Sequence, residues 1–278
     1  FIVMHKECLQ DPCQHKISIE RIKKYRLDFN QNIILVHNEL TKEVLTKCKI
    51  TKPENIIVNG MLRLDNLFSL KKRNSKNLNV VTLFSFHHCT GLLILPKNKQ
   101  KHWFSNSPDY GFYEYFDTVH IKIAEFAIKN PSIKVFIKPK WQKNWSNKIK
   151  EAIRKGGYDY DKIPNLVITD LEAQKLIRKS SVVIGINSTT LLEAKLLNKP
   201  VIIPIFNEAK DKYYNDHIFF KKYFKKTFNI VKNPDNFSIQ IIKELTNKNR
   251  KKNISKEMIS EYLGYFDGHN TNRLVSIF

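Results

Sequence analysis

No run of apolar residues in this chain approaches the roughly 20 that a membrane-crossing helix needs, so the sequence contains no transmembrane helix. Cysteine is sparse. Cys8, Cys13, Cys48 and Cys89 have no spacing that reads as a disulfide framework, and their use suggests a reducing compartment. Glycine is scarce as well, with 8 residues in 278. Lys and Asn are abundant throughout, so the scarcity reflects compositional bias as much as function. Acidic residues are the last shortage. There are 26 Asp and Glu against 48 Lys and Arg, for a formal charge of +22.

That excess suits polyanions: phosphorylated ligands, acidic lipid head groups or nucleic acid. The charge is spread along the chain rather than gathered in one patch, which argues against a dedicated nucleic-acid role. Peripheral contact with an anionic membrane surface fits the charge at least as well. The expected location is cytoplasmic, at or near the inner face of the cytoplasmic membrane. Apolar residues make up 42% and aromatics 12%, enough for a packed core. The length allows one large domain or two ordinary ones. Residues 1–4, FIVM, are too short for the apolar core of a signal peptide and read as a strand already in progress. The expectation is a chain that lacks its true N-terminus.

One stretch organises the rest. Residues 181–206 read SVVIGINSTTLLEAKLLNKPVIIPIF. A β-branched run ends in Asn187-Ser188-Thr189-Thr190, a leucine-rich helical segment follows, Asn198-Lys199-Pro200 breaks it, and a second apolar run begins. This is a βαβ unit, and such units imply a parallel sheet with its ligand crevice at the strand ends. The first N–H groups of a helix have no intrahelical partner and carry partial positive charge. Small hydroxyl residues there leave the approach open to a phosphate and add donors. Glu193, one turn on from Thr189, is placed to accept from the two hydroxyls of a ribose. The plain alternative is N-capping by Asn187 or Ser188, with Glu193 a surface helix former.

Other strand ends of the same series carry further candidates. A strand over 133–137 runs into Lys138-Pro139-Lys140, whose lysines point to the same phosphate or form a solvated loop. A strand over 79–86 ends in His87-His88, suited to donating to phosphate or to proton transfer. Helices are expected over 41–48 with Thr41 as N-cap, over 113–129 with apolar positions at 116, 119, 123, 126 and 127, over 171–178 with Asp170 as cap, and over 237–246. An aromatic, lysine-rich segment at 211–224 reads as a helix or lid. A last helix over 270–278 is expected to dock Leu274, Val275 and Phe278. His5, Cys8, Cys13 and His15 can be drawn as a zinc site, but their spacing does not match paired knuckles, so no metal site is expected. The domains read as 1–70, a partial α/β domain; 71–78, a basic linker; 79–247, a second Rossmann-like domain; and 248–278, a helical tail.

The stretch INSTTLLEAKLLNKPVIIP resembles the donor-binding segment of GT-B glycosyltransferases. It is similar to the bacterial surface-carbohydrate and capsule group that includes Kdo-transferase, sialyltransferase-like and CDP-glycerol-transferase enzymes. Residues 53–65, PENIIVNGMLRLD, resemble the turn that precedes the interdomain linker in that group. Residues 136–140 resemble the strand whose end often carries His-Pro, with Lys138 in place of the histidine. Gly264-Tyr265-Phe266-Asp267-Gly268, with Arg273, resembles the closing segment. The resemblance implies an α/β, GT-B-like fold of two Rossmann-like domains with parallel sheets, the N-terminal one incomplete. It implies a metal-independent glycosyltransferase that moves a sugar from a CMP- or UDP-linked donor to a surface polysaccharide or lipid-linked glycan, with no cofactor beyond that donor. Ser188, Thr189 and Thr190 would meet the donor phosphate and Glu193 the ribose. The catalytic base would come from the N-terminal domain, where Glu7, Asp11 and His5 are the candidates. A nucleotide-sugar epimerase of the same fold and a non-catalytic basic interaction protein are the alternatives.

Overall fold

Short β-branched runs separated by helical stretches can pair only through crossovers, so parallel sheets are the expected outcome. The computed structural model describes residues 2–4, 19, 22–23, 32–71, 79–91, 111–140, 144–215, 217–247 and 253–277. It divides the chain into two compact α/β units, one formed by residues 1–74 and 254–278 and the other by residues 75–253. Each contains a wholly parallel sheet, the make-up of a GT-B-like chain of two Rossmann-like domains.

The described residues of unit 1 form three strands, β1 (Ile2–Met4), β2 (Ile33–Val36) and β3 (Ile56–Val58), in the order β1-β2-β3. The register pairs Ile2 with Ile33 and Ile34 with Ile56. β1 lies at the end of this order and leaves Met4 46% exposed. Helix α1 (Glu39–Lys47) links β2 to β3 and begins earlier than the sequence suggests. Its cap is Asn38 rather than Thr41. Asn38 Oδ1 accepts from Thr41 N at 2.8 Å, and its Nδ2 donates to the Tyr262 carbonyl at 2.8 Å.

Helix α2 (Arg63–Lys71) closes this first segment. The C-terminal residues return to it. Asp65 accepts from the main-chain N–H of Asn270 and Thr271, at 3.0 and 2.7 Å, and so caps a short C-terminal helix, Asn270–Val275. Gly60 and Gly264, both at positive φ, let the two segments close up; a Cβ on Gly264 would lie 2.2 Å from the His37 oxygen. Leu274 is half-buried in that helix, but Val275 is 66% exposed and does not dock. The remaining described helix of the tail, Lys256–Tyr262, packs on α1.

The described residues of unit 2 form six strands: β4 (Val80–Phe84), β5 (Lys134–Lys138), β6 (Leu166–Ile168), β7 (Val182–Gly185), β8 (Val201–Pro204) and β9 (Asn229–Val231). Their order is β6-β5-β4-β7-β8-β9. The chain builds outward from β4 through β5 to β6, then crosses back to β7 and builds the other way. Helices α3 (Tyr113–Lys129) and α4 (Asn144–Lys155) connect the first half. Helices α5 (Ala173–Lys179) and α6 (Thr189–Leu196) serve β7 and β8. Right-handed crossovers running in opposite directions place these pairs on opposite faces of the sheet. Helix α7 (Phe237–Thr246) packs against α3, β7 and β8.

β4, β7 and β8 are buried along their whole length. Each fully buried Val, Ile or Leu there is worth roughly 1.5–3 kcal/mol, which is why these strands read as continuous apolar runs. On α3 the expected inner positions Phe116, Val119, Ile123, Phe126 and Ala127 are all buried. α5 begins at Ala173, later than expected, because Thr169 Oγ1 draws the Leu171 N–H into a turn at 3.2 Å. The described residues of 211–224 form single helical turns at Lys212–Asn215 and Lys221–Tyr223, with non-helical chain over 217–220. Among the described residues no helix is long and apolar enough to cross a membrane.

Candidate functional site

In a doubly wound sheet the loops at the reversal point leave in opposite directions and open a crevice at the carboxyl ends of the strands. Here the reversal lies between β4 and β7. A cleft of about 150 Å3 sits there, walled by residues that follow β4, β5 and β7. That is about half the lower end of ordinary small-molecule sites, enough for a phosphate and part of its neighbour rather than a whole nucleotide sugar.

The β7–α6 turn supplies Asn187, Ser188 and Thr190 to the cleft. Asn187 sits at φ 48°, a left-handed conformation that asparagine tolerates better than most residues. Its amide ties loops together: Nδ2 donates to the oxygens of Thr90 and His217, at 3.2 and 2.9 Å, and Oδ1 accepts from Phe219 N at 2.8 Å. Gly91 is needed beside it, since a Cβ there would fall 2.1 Å from Asn187 Nδ2. Asn187 therefore shapes the cleft with an amide already engaged by main chain. Ser188 caps α6 by accepting from Thr190 N at 3.3 Å, and its Oγ lies 2.7 Å from Thr190 Oγ1. Two hydroxyls share one hydrogen in that contact, and the second hydrogen is left for a ligand.

The end of β5 supplies Lys138, Pro139 and Lys140. Lys138 Nζ reaches the Asp170 oxygen only at 3.5 Å, and Lys140 is exposed. Two lysines thus line the same cleft as two hydroxyls at the head of a helix, a donor set suited to an anion.

Thr189 and Glu193 are not among the lining residues. Thr189 is half-buried in the first turn of α6. Glu193 was weighed as a ribose ligand or a surface helix former, and it is 2% exposed. It accepts from Gln174 Nε2 of α5 at 3.4 Å.

His87 and His88 do not line the cleft either. His87 stacks on Trp145 of α4, with centroids 4.7 Å apart, and its Nδ1 accepts from Cys89 N at 3.0 Å. His88 packs against Tyr113 and Phe116 of α3. Burial, reinforced by the charges of Lys140 and Lys148, pushes the His87 pKa down to about 4. Burial, then Lys148 and the neighbouring histidines, pushes His88 down to about 3. Both rings are neutral near pH 7 and bring no positive charge to a phosphate. His5, Glu7 and Asp11, like Cys8, Cys13 and His15, lie outside the described residues, as do 72–78 of the expected linker. Among the described residues no group of three or more His, Cys, Asp or Glu is placed to hold a metal ion.

Ser85, Thr90 and Ala173, which no sequence motif singles out, also line the cleft. Ser85 follows β4 directly and bonds His120 of α3 at 3.0 Å. A histidine among the apolar inner positions of α3 was the available signal.

No protein-family model matches the sequence, and no curated protein matches it. Solved structures do. UDP-GlcNAc 2-epimerase from Neisseria meningitidis, solved with UDP-GlcNAc bound, aligns over 88% of this chain with a TM-score of 0.50 and 15% identity. UDP-GlcNAc 2-epimerase from Methanocaldococcus jannaschii aligns over 100% of this chain and 76% of its own, with a TM-score of 0.49 and 12% identity. The wall teichoic acid polymerase TagF aligns over 98% of this chain and 63% of its own, with a TM-score of 0.47 and 11% identity. The Neisseria enzyme carries the comparison, and at that identity it establishes likeness of fold. The chain spans 60% of that protein's length.

Proposed function

We propose that this chain is a nucleotide-sugar-processing enzyme whose unit 2 cleft takes the phosphates of the nucleotide. The observation that carries the reading is that Lys138 and Lys140 line one cleft with Ser188 and Thr190 at the reversal point of the sheet. In this reading the lysines and the N-terminus of α6 take up charge that develops on the departing phosphate, the role of preorganised donors in acyl and phosphoryl chemistry.

Epimerisation is the reaction this reading favours, supported by the likeness of fold to the Neisseria epimerase. Glycosyl transfer to a surface polysaccharide or lipid-linked acceptor is the second reading. It is supported by the motif resemblances of residues 53–65 and 186–204, and by a basic composition suited to an anionic membrane.

A thermal-shift screen against CMP, UDP, GDP and CDP-linked donors tests the binding site. The expected result is protection by at least one nucleotide. Lys138→Ala with Lys140→Ala should weaken that binding by at least ~10-fold, since a hydrogen bond to a charged group contributes about 1.5–3 kcal/mol. No protection by any nucleotide would leave the non-catalytic alternative standing. Incubation with UDP-GlcNAc in the absence of an acceptor, followed by NMR, then separates the two reactions. An epimerase yields a new sugar product, whereas a transferase needs its acceptor.

A further inference from the structure

Ser85 lines the cleft and is only 7% exposed. Its Oγ lies 3.0 Å from Nε2 of His120, which is fully buried on α3. The other ring nitrogen, Nδ1, lies 2.7 Å from the main-chain oxygen of Phe116. A carbonyl oxygen only accepts, so Nδ1 carries the ring hydrogen and donates it. In the neutral ring Nε2 is then a bare lone pair, and it accepts from the Ser85 hydroxyl. Burial keeps the ring neutral, with its pKa down at about 4 despite the Phe116 bond.

A serine on an imidazole that is oriented by a third group is also the outline of an activated nucleophile. The third group decides between the two readings. Here it is an amide oxygen with no charge to stabilise an imidazolium, and full burial disfavours that cation further. His120 therefore does not take the serine proton. It determines where that proton points.

We propose that His120 is a positioning residue that holds the Ser85 hydrogen inward, so that Ser85 presents lone pairs to the cleft and recognises a ligand hydroxyl instead of a phosphate oxygen. The inference rests on the nucleotide-sugar reading of the same cleft. It divides the cleft by polarity. Lys138, Lys140, Ser188 and Thr190 donate to phosphate, and Ser85 accepts from a hydroxyl of the ribose or of the sugar. Turning the serine hydrogen outward to a phosphate would strand Nε2 without a donor at a fully buried position, which is disfavoured.

The test is calorimetric titration of the whole chain at pH 8 with inorganic pyrophosphate, UDP and UDP-GlcNAc. In Ser85→Ala, pyrophosphate binding should stay within about twofold of wild type, because the serine gives it nothing. Binding should weaken by about 3–10-fold, the value of an ordinary hydrogen bond, at the first probe that carries the recognised hydroxyl. A loss first seen with UDP assigns the ribose, and a loss first seen with UDP-GlcNAc assigns the sugar. Ser85→Thr should restore it. In His120→Phe the freed hydroxyl can rotate outward, so pyrophosphate should bind more tightly while the hydroxyl-bearing probe binds more weakly. Histidine 15N NMR should show His120 as the neutral tautomer protonated on Nδ1, and this readout needs no ligand and no second variant that folds.

An equal loss for all three probes in Ser85→Ala would make Ser85 a phosphate contact and overturn this inference while leaving the nucleotide-sugar reading intact. An Nε2-protonated His120 would overturn it in the same way. A wild-type protein that binds none of the probes overturns both.

Discussion

The two units are both parallel sheets, yet different forces hold them. Unit 2 buries β4, β7 and β8 on both faces and closes its loops around histidines that are kept neutral by burial. The described residues of unit 1 form three short strands, with Met4 of the first 46% exposed, and its tail is fastened by polar groups. Asp65 caps the last helix, Asn270 donates to the Met61 oxygen, and Arg273 pairs with Asp267. A large sheet gains its stability from area. A small one needs directed contacts, and those depend on ionised carboxylates.

Acid should break the comparison most widely. His87, His88 and His120 have folded pKa values of about 4, 3 and 4 against an ordinary 6.5. Below about 6.5 the unfolded chain takes up protons that the folded chain refuses, so unit 2 loses stability progressively as pH falls from there toward 4. Each pKa unit is worth about 1.4 kcal/mol, and three groups together outweigh a single substitution even when the two half-buried rings are discounted for solvent screening. In unit 1 the carboxyl pKa of Asp65 is lowered: burial opposes the shift, but hydrogen bonds from Thr271 and Asn270 outweigh it. The Arg273 contact lowers Asp267 as well. Their contribution is complete above the unfolded carboxylate value near 3.8 and is lost only as pH drops below it. Hydrogen exchange corrected for intrinsic rates should therefore show residues 80–90 and 113–127 opening before residues 56–65. The reverse order would refute the contrast. His88→Phe should flatten the acid response of unit 2.

Gly264→Ala should do the most damage of any single change in unit 1. The added Cβ meets the His37 oxygen and lies 2.9 Å from the Gly60 Cα, with φ at +84°. Neither neighbour is a side chain that can move aside. A loss of about 3 kcal/mol in urea unfolding is expected, at the upper end of ordinary substitutions. Exchange protection should fall over 56–65 and 256–275 and hold over 182–204. Asp65→Ala is the milder version of the same experiment. Loss of a helix cap costs about 0.5–2 kcal/mol, and its effect should shrink when both proteins are compared well below pH 3.8, where the carboxyl is neutral and accepts more weakly.

Much of unit 2 was legible in advance because its signals are local. Two β-branched runs flanking a leucine-rich segment define β7, α6 and β8, and the apolar spacing of α3 located its inner face without error. Capping was less legible. Asn38 takes the place expected of Thr41 because its amide also holds Tyr262, which lies 224 residues away. The candidate site divides along the same line. Ser188, Thr190, Lys138 and Lys140, all read from strand ends, line the cleft, whereas Glu193 faces α5 and the two histidines face Trp145.

By itself the sequence determined the parallel α/β class, the position of the βαβ unit at 181–206 and the basic and hydroxyl residues at the strand ends, since periodicity, turn residues and charge are properties of neighbours along the chain. Tertiary structure alone decided which side chains share the cleft, that Asp65 caps a helix 205 residues further on, and that a buried His120 sets the direction of the Ser85 hydroxyl. Those outcomes depend on which strands pair and which loops leave on the same side. Residue spacing says nothing about either until the sheet order exists.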